Sequence, residues 1–126
     1  MIERITPPGA VSPRGPYSHA VRAGNFIFVS GQGPIDPATD KLSYGTIEHE
    51  TRLVLNNVKR IVDGCGASMR DVVKCNVYLR NGSDFAAMNA VYAEFFGEAK
   101  PARTTVETKF ADPQMLVEID CIADQE

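Results

Sequence analysis

The sequence predicts one α+β domain over residues 1–126, with two helices packed on one face of a mixed sheet. Three observations predict it. A length of 126 residues suits a single domain, able to bury roughly two thirds of its unfolded surface. Apolar residues alternate in several short segments, as in half-buried strands, and recur at three-and-four spacing in two longer ones. These segments follow one another as strands, helix, strand, helix, strands.

The first stretch, residues 6–16, holds Pro7, Pro8, Pro13 and Pro16 and reads as a loop. Residues 18–22 and 26–30 read as strands joined by the turn residues Ala23-Gly24-Asn25. Gly31-Gln32-Gly33-Pro34 and Asp36-Pro37 then predict an irregular loop. A helix is predicted over 46–65, because Ile47, Val54, Leu55, Val58, Ile61, Val62 and Cys65 form one stripe. Thr46 can cap it, Glu48 and Glu50 suit its positive end, and Gly64 or Gly66 can stop it. Residues 72–79 alternate as a strand through Val73, Cys75, Val77 and Leu79. A second helix starts near Ser83-Asp84, carries Phe85, Met88, Tyr92, Phe95 and Phe96, and stops at Gly97. Residues 103–110 and 116–122 supply two last strands.

Two helices cover one sheet face only. Yet Phe26-Ile27-Phe28-Val29 is apolar on both faces, and Leu116 and Ile122 oppose Val117, Ile119 and Cys121. Self-association is the expected cover for the second face.

Composition narrows the functions. Thirteen basic and 16 acidic residues are scattered, giving a net charge of −3 and no basic stripe, so nucleic acid is not an expected partner. No apolar run is long enough to span a membrane, and the first residues do not read as a signal peptide, so a cytoplasmic location is expected. Cys65, Cys75 and Cys121 are odd in number and far apart, which reads as three reduced, mostly buried thiols. With two histidines and no close cysteine pair there is no zinc spacing, and Pro34 removes the helix that a nucleotide-binding glycine loop needs. His19 and His49 are expected at the surface or half-buried.

What remains is a set of polar residues in apolar settings. Tyr17 follows Gly15-Pro16, Ser30 ends an apolar strand, Asn89 lies on the apolar stripe of the second helix, and Glu118 interrupts Leu116-Val117-Ile119. Arg103 heads a strand after Pro101-Ala102. Each has an ordinary reading: a surface ion pair for Arg103, a solvated charge for Glu118, a structural amide for Asn89. Together they suggest a pocket, since unpaired polar groups are costly to bury. An arginine fork suits a carboxylate, and a nearby glutamate can orient or deprotonate water.

These residues resemble those of the RidA (YjgF-type) imine deaminases, over nearly the whole chain. The resemblance rests on Gly15-Pro16-Tyr17-Ser18-His19-Ala20-Val21, Phe28-Val29-Ser30-Gly31-Gln32 and Asp71-Val72-Val73-Lys74. It continues through Asp84-Phe85-Ala86-Ala87-Met88-Asn89, Pro101-Ala102-Arg103-Thr104 and Val117-Glu118-Ile119. It implies a chorismate-mutase-like fold and a homotrimer with pockets at subunit interfaces. It also implies 2-iminobutanoate/2-iminopropanoate deaminase activity without metal or organic cofactor. Arg103 would bind the substrate carboxylate and Glu118 would handle the water, while Tyr17, Ser30, Asn89 and Thr105 line the pocket. Departures are Thr105 where many relatives carry Cys, His19 where Gln is commoner, and the segment 111–115. Competing expectations are a catabolic deaminase of a larger enamine such as 2-aminomuconate, a ribonuclease or translation inhibitor, and a non-catalytic carboxylate-binding trimer.

Overall fold

A computed structural model describes residues 1–125. Six strands form the main sheet: β1 (Ile2–Ile5), β2 (Ala20–Ala23), β3 (Phe26–Gln32), β6 (Val72–Leu79), β7 (Ala102–Glu107) and β8 (Val117–Asp124). Their order is β1-β2-β3-β8-β6-β7. The β6–β7 pair is parallel and every other pair is antiparallel, so the sheet is mixed as expected. A separate two-stranded ribbon, β4 (Ile35–Asp36) with β5 (Lys41–Leu42), stands beside it.

Helices α1 (Ile47–Gly64) and α2 (Phe85–Phe96) lie on one face. The α1 stripe packs as its spacing demands: Val54, Leu55, Val58, Ile61 and Val62 are all buried with Ile27, Val77, Val117 and Ile119 of the sheet. Thr46 accepts a hydrogen bond from the His49 amide at 3.2 Å, the expected cap. Glu50 does more than complement the helix end. It is fully buried and accepts from the amides of Leu116 (2.7 Å) and Gly45 (3.2 Å). That tie fixes the chain just before β8 and therefore the approach to Glu118.

One strand was not foreseen and two expectations need correction. β1 pairs with β2 although the first residues carry no strand pattern. The expected irregular loop after Ser30 is partly regular, since β3 runs to Gln32 with a register shift and β4–β5 follows. The last strands are 102–107 and 117–124, because Thr108 to Leu116 turns away, held by Arg80 and Asp112.

The other sheet face has no helix on it. Phe26, Phe28, Val73 and Val106 remain exposed there or at its margins. If copies of the chain cover this face in a trimer, sedimentation equilibrium should give a mass near three times 13.7 kDa. A stable monomer at micromolar concentration would contradict it.

Candidate active site

Residues paired across a ladder point to the same side of a sheet, and neighbours along a strand alternate. Arg103 pairs with Cys75, which pairs with Cys121, so Arg103 lies on the helix-covered face. Thr105, paired with Val77, lies there too. Glu118 pairs with Tyr78, on the open face together with Asp120 and Ile122. Within one chain, therefore, the two principal candidates stand on opposite sides of the sheet.

On the open face, Glu118 meets Tyr17, Ser30 and Gly31, and the four bound a cavity of about 340 Å³. Gly31 leaves room for this approach: a methyl group there would stand 2.3 Å from Glu118 Oε2, so the carboxylate would have to shift. Tyr17 Oη accepts from the Arg14 amide at 3.1 Å, which turns the ring over the cavity. The Ser30 hydroxyl donates to the Ser18 carbonyl at 2.6 Å and retains lone pairs that can accept. Glu118 is half-buried, and among the described residues it makes no hydrogen bond or ion pair. Burial, and secondarily the charge of Asp120, raises its pKa above the ordinary carboxylate value. Asp120 itself accepts from Asn76 Nδ2 (2.9 Å) and Tyr78 Oη (3.0 Å).

A second cavity, of about 320 Å³, shares Tyr17, Gly31 and Glu118 and runs on toward Ile35, Leu42 and Met115. His19 and Gln32 lie beneath it. His19 is 2% exposed, not at the surface, because both ring nitrogens have partners inside: Nε2 meets the Val11 carbonyl and Nδ1 the Gln32 amide at 3.2 Å. His49, by contrast, is exposed and bonds Ser43 Oγ at 2.9 Å.

On the helix-covered face, at the β7 edge, the Arg103 guanidinium lies over the rings of Tyr92 (4.8 Å) and Phe85 (5.5 Å). Both rings come from α2, and Asn89 sits between them in the same helix. Among the described residues Arg103 has no ion-pair partner. Asn89 Oδ1 and Thr105 Oγ1 are buried without hydrogen bonds, and Tyr92 Oη meets only the Cys75 thiol. Native interiors leave few such atoms, and these lie on Arg103's side of the sheet.

The structure thus gathers Tyr17, Ser30 and Glu118 into one cluster on the open face and Arg103, Asn89 and Thr105 into another on the helix-covered face. The reading of single residues missed Gly31, and it took Phe85 and Tyr92 as helix stripe rather than as the platform under Arg103. Of the cysteines, Cys75 lies beside Arg103 across the β6–β7 ladder. Cys75 and Cys121 are buried cross-strand neighbours, and burial pushes the Cys75 thiol up to about 11 and Cys121 upward as well. Both stay neutral thiols at physiological pH.

Comparison with known proteins places the chain in a family. A family model described as Endoribonuclease L-PSP matches residues 8–125. A RutC family protein of Pyrococcus horikoshii is 50% identical over 126 residues, covering all of both chains. A 2-iminobutanoate/2-iminopropanoate deaminase of Dermatophagoides farinae is 42% identical over 118 residues, covering 94% of this chain and 92% of that one. Among solved structures, RidA from an Antarctic Psychrobacter superimposes with a TM-score of 0.91 at 37% identity, covering 97% and 98% of the two chains. Such whole-length likeness in sequence and in fold leaves one conclusion: this chain belongs to the RidA/YjgF family, the family whose model is described as Endoribonuclease L-PSP.

Proposed function

We propose that the protein hydrolyses 2-imino acids, and the enamines in equilibrium with them, to 2-keto acids and ammonia. 2-Iminopropanoate and 2-iminobutanoate are the smallest members of that class. The observation that carries the reading is Glu118, a half-buried carboxylate with a raised pKa that no other described side chain engages and that two cavities reach. A carboxylate kept in that state can take a proton from water.

The chemistry balances with water alone. Water adds to the C=N carbon while Glu118 accepts its proton. The nitrogen gains protons, the C–N bond of the carbinolamine breaks, and ammonia leaves as the C=O bond forms. An α-carboxylate beside that carbon needs a cation, and Arg103 is the cation available, with its plane fixed by two rings. Arg103 cannot reach Glu118's face of its own sheet, so this reading takes it from a second copy, in a homotrimer with each pocket shared by two subunits. Asn89 and Thr105 would arrive with it, their unpaired oxygens ready to accept from the substrate nitrogen or from water.

A ribonuclease reading fits less well. Glu118 and Asp120 put two carboxylates on the open face, and the overall charge of −3 repels a polyphosphate. The test generates 2-iminopropanoate and 2-iminobutanoate in situ, adds the protein, and follows keto-acid release above the spontaneous rate. No acceleration of either would reject the proposal.

The raised pKa of Glu118 also predicts a pH profile. A base works only when ionised, so kcat/KM should fall as pH drops through that raised value, above the ~4.3 of an exposed glutamate. Asp120's negative charge contributes to the rise, so Asp120→Asn should move the acid limb to lower pH. An acid limb that stays in place in Asp120→Asn would show that the limb does not report Glu118.

A further inference from the structure

The strand that carries Ser30 is irregular where it passes Glu118. Val29 pairs with Cys121 and Gln32 with Ile119, so Ser30 and Gly31 stand together against the single residue Asp120. This is a β-bulge, which bends its strand and re-aims the side chains on it. Here it presents Ser30 and Gly31 to the cavity that Glu118 and Tyr17 also border. The extra residue interrupts the ladder, so the backbone at the bulge needs partners from outside it.

Those partners come from a buried pair, His19 and Gln32, each 2% exposed. Gln32 Nε2 donates to the Ser30 carbonyl at 3.0 Å and meets His19 Nδ1 at 3.2 Å. A carbonyl only accepts, so the amide nitrogen of Gln32 is the atom that faces both groups, and His19 Nδ1 must accept from it. The ring proton is then on Nε2, which donates to the Val11 carbonyl. Both ring nitrogens and both amide hydrogens of the pair are used, as buried polar groups require.

The rest of His19 adds to the hold. Its backbone carbonyl accepts from the Ser30 amide at 2.9 Å. One position back, the Ser18 carbonyl accepts from the Ser30 hydroxyl at 2.6 Å. The Tyr17 ring stands edge-on to the imidazole with centroids 6.3 Å apart, within the range of a favourable aromatic contact. One imidazole therefore sets three parts of the surroundings of Glu118: the bulge through Gln32, the Tyr17 ring by contact, and the loop at Val11 through Nε2.

We propose that His19 is a positioning residue for the water-handling side of the site, which with Gln32 keeps the Ser30–Gly31 bulge and the Tyr17 ring in register with Glu118. Both ring nitrogens are engaged, so the ring does not trade protons with a substrate. The role asks for one donor and one acceptor at a fixed separation. A glutamine side chain supplies these as well, and an apolar side chain of similar size does not. The proposal rests on the imine-hydrolase reading for its kinetic effect and on the bulge for its geometry.

Three variants of the intact protein separate this role from plain packing. His19→Gln keeps a donor for Val11 and an acceptor for Gln32. His19→Met fills the space without either, and Gln32→Met cuts the link to Ser30 while leaving His19. Turnover of 2-iminopropanoate formed in situ and calorimetric binding of pyruvate are measured on each. His19→Gln should retain nearly all of the wild-type kcat. His19→Met and Gln32→Met should each lose roughly ten- to a hundredfold in kcat, the effect of misplacing groups around a reacting centre by up to about 1 Å. Their affinity for pyruvate should stay near the wild-type value, because the Arg103 grip is untouched. Turnover in His19→Met equal to that of His19→Gln would overturn the proposal. So would a loss of pyruvate affinity that matches the loss of kcat, since that is the mark of general damage.

A wild-type protein that hydrolyses no imine would reject the reaction instead, and amide hydrogen exchange then decides the positioning by itself. The amides of Tyr17 and Ser30 should exchange at least about tenfold faster in His19→Met than in His19→Gln, with those of α1 alike in both, as expected when a local rather than global opening becomes easier. Equal exchange at Tyr17 and Ser30 rejects the proposal. If His19→Met does not fold, Gln32→Met against the wild type carries the same comparison.

Discussion

Arg103→Ala should lower kcat/KM for imine hydrolysis by about two to four orders of magnitude while leaving the fold intact. The magnitude follows from what the side chain offers. A bidentate grip on a carboxylate makes two charge-assisted hydrogen bonds, each worth about 1.5–3 kcal/mol, and ~1.4 kcal/mol is a factor of ten. Arg103 has no other ion-pair partner among the described residues to compensate, and its ring contacts with Tyr92 and Phe85 fix the plane of the fork. Arg103→Lys should recover little, because an ammonium cannot present two parallel donors and stacks less well on two rings. Steady-state kinetics on both variants, with circular dichroism to check folding, makes the comparison. Near-normal turnover by Arg103→Ala would remove the carboxylate grip.

Glu118→Gln should lose about 10²–10⁴-fold in kcat, the usual worth of a positioned acid or base. The glutamine keeps the shape against Gly31 and removes only the charge and the basic oxygen. Stability should move in the opposite direction. Glu118 is half-buried without a partner among the described residues, so holding it ionised costs folding free energy that the amide does not incur. Thermal melting near pH 7 should therefore show a Tm unchanged or higher for Glu118→Gln. Lost turnover together with a raised Tm is the signature of a functional carboxylate. Lost stability with retained turnover would make Glu118 structural.

Much of this architecture was legible in the residue pattern, and the exceptions have physical causes. The α1 stripe was readable because eighteen residues repeat one amphipathic period and Thr46 caps it. β1 was hidden because it is a short edge strand whose Ile2 is more than half exposed, so no apolar alternation betrays it. The β4–β5 ribbon was hidden by Pro34 and Pro37, which favour turns locally, and it closes through Asp40 at a φ of 58°. At the site, Glu118, Ser30 and Tyr17 stood out as polar residues where apolar ones are expected. Their separation from Arg103 did not. Fifteen positions along the chain say nothing about which face each residue takes when a turn of nine residues intervenes between β7 and β8. Only the β6 register, with Cys75 beside Arg103 and Tyr78 beside Glu118, decides it. The second cavity was likewise invisible, since Val11, Ile35, Leu42 and Met115 come from four separate segments and each alone reads as core.

In the proposed reaction centre Glu118 comes from one chain and Arg103 from another. Mixing Arg103→Ala with Glu118→Ala protein tests it most directly, after each has been dissociated and the two reassembled together. In a ring of random composition a mixed pocket can pair the intact Glu118 of one variant with the intact Arg103 of the other. Neither variant alone is active, yet the mixture should regain up to about a quarter of the wild-type rate. Mixed assemblies that form, as shown by mass, but stay as inactive as their parents would contradict the shared site.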